Sequence, residues 1–347
     1  MAATGTKGYE MEEALRSYFL QSGYYVIRGM PLVHEGDFVT DVDLWLYSRG
    51  SPLSRELAIV DIKNKKQPQA MERILWVAGL KRLLGVDKAI VATTDRRASL
   101  ETFARQLDVQ VLNGNFLSKV KSYEPSHKIR ISEEEFIKEI LSDDLGKFDG
   151  DWKKQVDECR AKLLSGIDFD TFNYLLIRAE FFLNEIILKP YKKNAAIRCL
   201  YLILSYSLIC MDYLFKELSF RTHGERNTLI FEGIKFGTKG KAGLQMLLGV
   251  SSALVTSYLP DGSGAAAIIK KGLLDELNNS RAHILADYLS ESEVNKHSFG
   301  QAKLFEQVAM SVNIPSIIDM PHEAKSYIGC LCDYWGFDRV LCFDSLT

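Results

Sequence analysis

Asp41, Asp43, Asp61 and Lys63 fall on two short apolar runs: Thr40-Asp-Val-Asp-Leu-Trp-Leu-Tyr47 and Leu57-Ala-Ile-Val-Asp-Ile-Lys-Asn-Lys-Lys66. Runs of this length and composition, bounded by turn residues, predict β-strands. The segment 48–54 between them is Ser-, Gly- and Pro-rich, so the simplest connection is an antiparallel hairpin. Side chains two apart on a strand share a face. Asp41 and Asp43 therefore point one way on the first strand, and Asp61 and Lys63 share a face on the second, with Ile62 turned away. A hairpin centred near Pro52 sets Asp43 beside Asp61. Two carboxylates that close repel unless a cation lies between them, and a hard divalent ion with oxygen ligands, Mg²⁺ or Mn²⁺, answers that need.

The flanking patterns describe what must hold those residues in place. Residues 8–22 carry Met11, Leu15, Tyr18 and Phe19 on one helical face, with Gly23 placed to stop the helix. Glu10, Glu12 and Glu13 crowd its first turns, where acidic groups favour the helix dipole and solvation is the simplest role. A short strand at 24–27 follows. Beyond the hairpin, 69–84 reads as a helix with Ile74, Val77, Ala78 and Leu80 inward and Gly85 as its stop. A strand at 89–94, a helix at 97–107, a strand at 109–112 and a turn at 113–115 follow, with spacing that favours a parallel crossover. The order is α-β-β-β-α-β-α-β, an α/β fold on a mixed sheet. The cluster Lys63, Lys65, Lys66, Arg73, Lys81 and Arg82 reads either as a solvated face or as a surface that holds phosphates.

From about Tyr123 the texture turns helical. Residues 123–150 read as a linker and connecting helix, with Ser132-Glu-Glu-Glu135 as a helix start. Residues 151–347 read as a mostly α-helical domain, clearest at 171–188 and continuing at 195–218, 242–258, 264–278, 280–290 and 299–311. Pro315 should break the pattern; 327–345 shows no readable period. The apolar stretches 195–215 and 242–259 read as buried helices rather than membrane spans, so no membrane partner is expected. The chain has 347 residues and a formal net charge of −2, which excludes a globally basic nucleic-acid binder but not a local patch. Its six cysteines lack zinc spacing, and with no apolar N-terminal segment a reducing, cytoplasmic setting is expected.

Residues 7–120, within a first domain read as 1–122, resemble the PD-(D/E)XK nucleases, in the branch of archaeal Holliday-junction resolvases and Mrr-type restriction enzymes. Lys7-Gly8, Glu12 and Gly23-Tyr24 are similar to that branch's first helix, Asp41-Val-Asp-Leu44 to its acidic strand, and Asp61-Ile-Lys63 to its (D/E)xK strand. The segments 91–94 and 109–117 look like its closing strands. No proline precedes the first aspartate, and Asp61 stands where Glu is commoner. The resemblance implies a restriction-endonuclease-like core, α-β-β-β-α-β, with Asp43, Asp61 and the Ile62 carbonyl holding Mg²⁺. It implies that Lys63 orients the attacking water and that Glu12 reaches the metal through water or supports a second ion.

Leu277-Asn-Asn-Ser-Arg-Ala-His283 faintly resembles the R-N-x-x-x-H motif of HEPN ribonucleases, with Asn278 in the arginine's place. Here a hydrogen-bonded packing role for His283 is the simpler expectation. The expected function is thus a Mg²⁺-dependent endonuclease acting on DNA, in prokaryotic genome defence by family analogy. The helical domain would sense, bind targets or pair with a second copy or another protein. The alternatives are a catalytically quiet nucleic-acid-binding or assembly subunit and, more weakly, a HEPN-type ribonuclease acting on RNA.

Overall fold

The computed structural model describes residues 6–63, 69–120, 129–141, 150–190, 193–259 and 261–347. It opens with α1 (Thr6–Gln21), β1 (Tyr25–His34), β2 (Asp37–Arg49) and β3 (Arg55–Lys63). Next come α2 (Ala70–Leu84), β4 (Lys88–Thr93), α3 (Ser99–Gln106), β5 (Gln110–Leu112) and α4 (Gly114–Val120). Then follow α5 (Glu133–Leu141), α6 (Trp152–Ser165), α7 (Phe169–Leu188), α8 (Lys193–Leu218), α9 (His223–Phe236), α10 (Gly240–Tyr258) and α11 (Gly262–Asn279). The chain closes with α12 (Ala282–Leu289), α13 (Ser292–Ala309), α14 (His322–Trp335) and α15 (Arg339–Ser345). The protein is therefore mixed α/β with a long helical portion.

Among the described residues the strands form one sheet in the order β1-β2-β3-β4-β5, antiparallel through β3 and parallel beyond it. The β2–β3 register runs from Arg49↔Arg55 to Leu44↔Val60, as a hairpin about Pro52 requires. Sequence periodicity shortened β1, which runs on to His34 and turns back through Glu35 and Gly36. Pro31 is tolerated there because β1 is the sheet's edge. Alternation breaks at Gly29, whose φ of 63° lies in the left-handed region: Ile27 and Met30, three apart, join the same core. Asn113 begins a helix instead of a turn, since its Oδ1 accepts from the Asn115 and Phe116 amides.

One face of the sheet receives α1 and α4, through Met11, Leu15, Phe19, Leu117 and Val120 packed on Val26, Leu44, Leu46, Val60 and Ile62. The other face carries Tyr25, Ile27, Trp45, Tyr47 and Ile59, which join a core that continues through Ile74 and Val77 of α2 into the helical portion. The change of texture near residue 122 is thus a change of element type across which one core runs. Its axis is α8, apolar and long enough to cross a membrane but 89% buried over its most apolar window, as the core helix of a folded body is. The two charges that interrupt it are used at joints. Arg198 donates to Glu139 at 2.8 Å and to the Ala309 carbonyl at 2.8 Å. Asp212, fully buried, accepts from Arg49 at 2.8 Å and Ser298 at 2.7 Å, also from Tyr47, and lies 2.6 Å from Arg55 Nε. The sheet and α8 are clamped through that carboxylate.

Helix starts and stops follow local chemistry. Thr222 and Glu225 form a reciprocal capping box at α9, and Gly85 ends α2 in the left-handed region at φ 63°. Helices α6, α9, α14 and α15 lie outside the ranges that periodicity marks; α14 and α15 fill the stretch 327–345 that shows no clear period.

Candidate functional site

The strand pair β2–β3 separates just beyond Leu44↔Val60, and the gap is where the acidic residues sit. The Ile62 amide, beyond the last β2–β3 pair, donates to Asp43 Oδ2 at 2.6 Å. In an extended strand a residue's N–H and C=O point to the same side, so the Ile62 carbonyl faces this gap as well. Asp61 and Lys63 share a side of β3, with Lys63 Nζ 3.8 Å from Asp61 Oδ1. Ile62 packs on the opposite side against the α1 core.

Asp43 is half-buried, and burial pushes its carboxyl up to about 7. The charges of Asp61 and Glu12 add to the rise, while the Ile62 N–H and the Lys63 ammonium oppose it. Glu12, Asp43, Asp61 and Lys63 therefore share one electrostatic neighbourhood, supplied by α1, β2 and β3. Asp41 does not belong to it. That side chain is exposed, and its charged neighbours are Asp157 and Lys153 of α6.

Two arginines occupy the carboxylates. Arg73, on the first turn of α2, donates to both oxygens of Asp61, through Nε at 3.0 Å, and lies 5.6 Å from the Trp76 ring centre. Arg28 of β1 reaches Glu12 at 2.8 Å, Glu134 of α5 at 2.6 Å and Glu13 at 3.4 Å. Glu13 is buried and paired with Arg16 as well, so it serves an internal ion network rather than solvation. Sequence reasoning placed Arg73 among phosphate-binding cations and passed over Arg28. The available signal was that each lies one turn or one strand from an acidic residue on a neighbouring element.

Of the other expected phosphate-binding residues, Lys81 is engaged with Asp108 at 2.6 Å and Arg82 is exposed on α2. Lys65 and Lys66 lie outside the described residues. Among the described residues no group of three or more His, Cys, Asp or Glu side chains is arranged to hold a metal. The donors that fit a hard cation are fewer: the Asp43 and Asp61 carboxylates and the Ile62 carbonyl. Two carboxylates and a carbonyl are chemically suited to a Mg²⁺ that keeps waters on its remaining positions.

His283 is exposed rather than a hydrogen-bonded packing residue. The chain breaks from helix at Ser280, whose ψ of 134° is extended, so Asn278 lies in the last turn of α11 while His283 lies in the first turn of α12. The two are not on one continuous helix. Compared with protein-family models, with curated proteins and with solved structures, the chain matches none.

Proposed function

We propose that this protein is a Mg²⁺-dependent nuclease of the PD-(D/E)XK type acting on DNA, with Asp43, Asp61, the Ile62 carbonyl and Lys63 as its working groups. The observation that carries this reading is the parting of β2 from β3 at Asp43. There a half-buried carboxyl with its affinity for protons raised to about 7 shares its neighbourhood with Asp61, Glu12 and Lys63. Such a site gains from a bound cation, which compensates the burial that raises Asp43 and the repulsion from Asp61 and Glu12 that adds to it. When bound, the ion supplies charge neutralisation at a scissile phosphate and acidifies a water. In this reading Lys63, 3.8 Å from Asp61, holds the attacking water and offsets charge on the phosphate. Glu12, anchored by Arg28, adds negative potential at the site's rim.

A specific feature favours a second reading, a catalytically quiet nucleic-acid-binding or assembly subunit. Arg73 grips Asp61 through two hydrogen bonds, which gives that carboxylate a resident cation. Both readings are tested on the full chain with plasmid, linear, branched and single-stranded DNA, with Mg²⁺ or with chelator. The nuclease reading expects chelator-sensitive cutting that Asp61→Ala and Lys63→Ala each abolish while far-ultraviolet circular dichroism stays unchanged. Undiminished cutting by either variant refutes the site. Mn²⁺ titration that finds no binding at Asp43 and Asp61 favours the quiet subunit. Genome defence as the setting, and RNA as substrate through His283, rest on resemblance alone.

A further inference from the structure

The two aspartates of the candidate site are unequally supplied with cations. Both oxygens of Asp61 accept from Arg73, and the Lys63 ammonium lies 3.8 Å from Oδ1, whereas Asp43 accepts from the Ile62 amide. With both carboxylates ionised, Asp43, Asp61, Lys63 and Arg73 already cancel in charge. A divalent cation added to them leaves a positive excess, beside a guanidinium that holds the oxygens the metal needs. Mg²⁺ alone is therefore held less tightly here than Mg²⁺ accompanied by an anion.

Exposure separates the Arg73–Asp61 pair from the structural ones. The Arg55 and Asp212 side chains are wholly buried, and their contact is fixed within the core. The Arg73 side chain is 26% exposed and that of Asp61 11%, so solutes reach the arginine while the carboxylate lies largely beneath its cations. Trp76, one turn along α2 and 42% exposed, has its ring centre 5.6 Å from the Arg73 guanidinium. That ring gives the guanidinium a second contact that does not depend on Asp61. A phosphodiester offers a two-pronged guanidinium two anionic oxygens, as a carboxylate does. Exchanging one for the other costs Arg73 little and leaves Asp61 to a metal.

We propose that Arg73 is the phosphate-sensing residue of this site: a phosphodiester takes its guanidinium from Asp61, and Asp61 then turns to the divalent cation. Backbone and metal consequently strengthen each other's binding, by the same factor in either order. The recognised chemistry is the anionic backbone and not a base, so Arg73 gates the site without reading sequence. This inference rests on the nuclease reading for the identity of the metal site. Under it, the contact that gives Asp61 a resident cation is a reversible lock and not a permanent replacement for the metal.

Two measurements on the full chain use diethyl phosphate, a phosphodiester monoanion without a base, against sodium chloride at equal ionic strength. With chelator present, the Arg73 Nε–H resonance of ¹⁵N-labelled protein, assigned by its loss in Arg73→Gln, should shift with diethyl phosphate and stay in place with chloride. In isothermal titration, diethyl phosphate should tighten Mn²⁺ binding by wild type about tenfold. Binding by Arg73→Gln, already tight in chloride, should gain about twofold or less. Circular dichroism confirms that the variant is folded. An unmoved resonance overturns the proposal, as does an equal gain in wild type and variant. Mn²⁺ that binds in no arm, Arg73→Gln with diethyl phosphate included, refutes the nuclease reading itself and this inference with it.

Discussion

Replacing Asp43 by Asn should stabilise the protein at neutral pH and leave it unchanged near pH 4. The carboxyl is raised to about 7 in the folded chain against about 3.9 when unfolded. Between those values the folded chain holds a proton that the unfolded chain has released, so stability falls as pH rises through that window. Each unit corresponds to about 1.4 kcal/mol; allowing for solvent screening of a half-buried group, the strain at pH 8 is about 2–4 kcal/mol. Asn keeps an oxygen that can accept from the Ile62 amide while removing the titration. With unfolding entropy of roughly 2 cal/mol/K per residue, the gain in melting temperature at pH 8 is about 3–5 °C, shrinking to none near pH 4. Calorimetry of wild type and Asp43→Asn across this range checks the expectation. Mg²⁺ should raise the wild-type melting temperature at pH 8 and leave that of the variant unmoved. Parallel pH profiles for the two proteins would refute the electrostatic account of the site.

Three further outcomes follow from the same contacts. Arg73→Gln removes the resident cation of Asp61 and should tighten Mn²⁺ binding roughly tenfold, by the loss of a competing charge-assisted pair, read by isothermal titration. Asp212→Asn leaves Arg49 and Arg55 poorly paired between sheet and α8 and should cost about 3–5 kcal/mol in urea unfolding, against near-zero for the exposed Asp87→Asn. Gly29→Ala places a side chain at φ 63° with open space around it, so backbone strain alone should cost about 1–2 kcal/mol on the same assay.

Much of the sheet was legible because its strands are short apolar runs set off by turn chemistry. Once Pro52 was taken as the hairpin's centre, the register that approaches Asp43 and Asp61 followed. The helix stops at Gly23 and Gly85 were readable for the same local reason. What escaped was decided by partners distant in sequence. Residues 28–39 lack a clean alternation because Gly29 resets it, so the length of β1 was hidden. Arg73 read as part of a basic cluster and Arg28 went unread, since nothing local says that Asp61 and Glu12 would claim them. Charges inside α8 resembled interruptions until the sheet supplied Arg49 and Arg55 and α5 supplied Glu139.

The clamp at Asp212 has a consequence for how the molecule can be divided. Cutting the chain after residue 122 would strip α8 from the sheet and leave Tyr25, Trp45 and Tyr47 facing water, with Arg49 and Arg55 deprived of their counter-charge. Such a fragment should aggregate when expressed alone. Strand and helix here are halves of one cooperative unit, so a graft of the sheet into another chain must carry α8 with it.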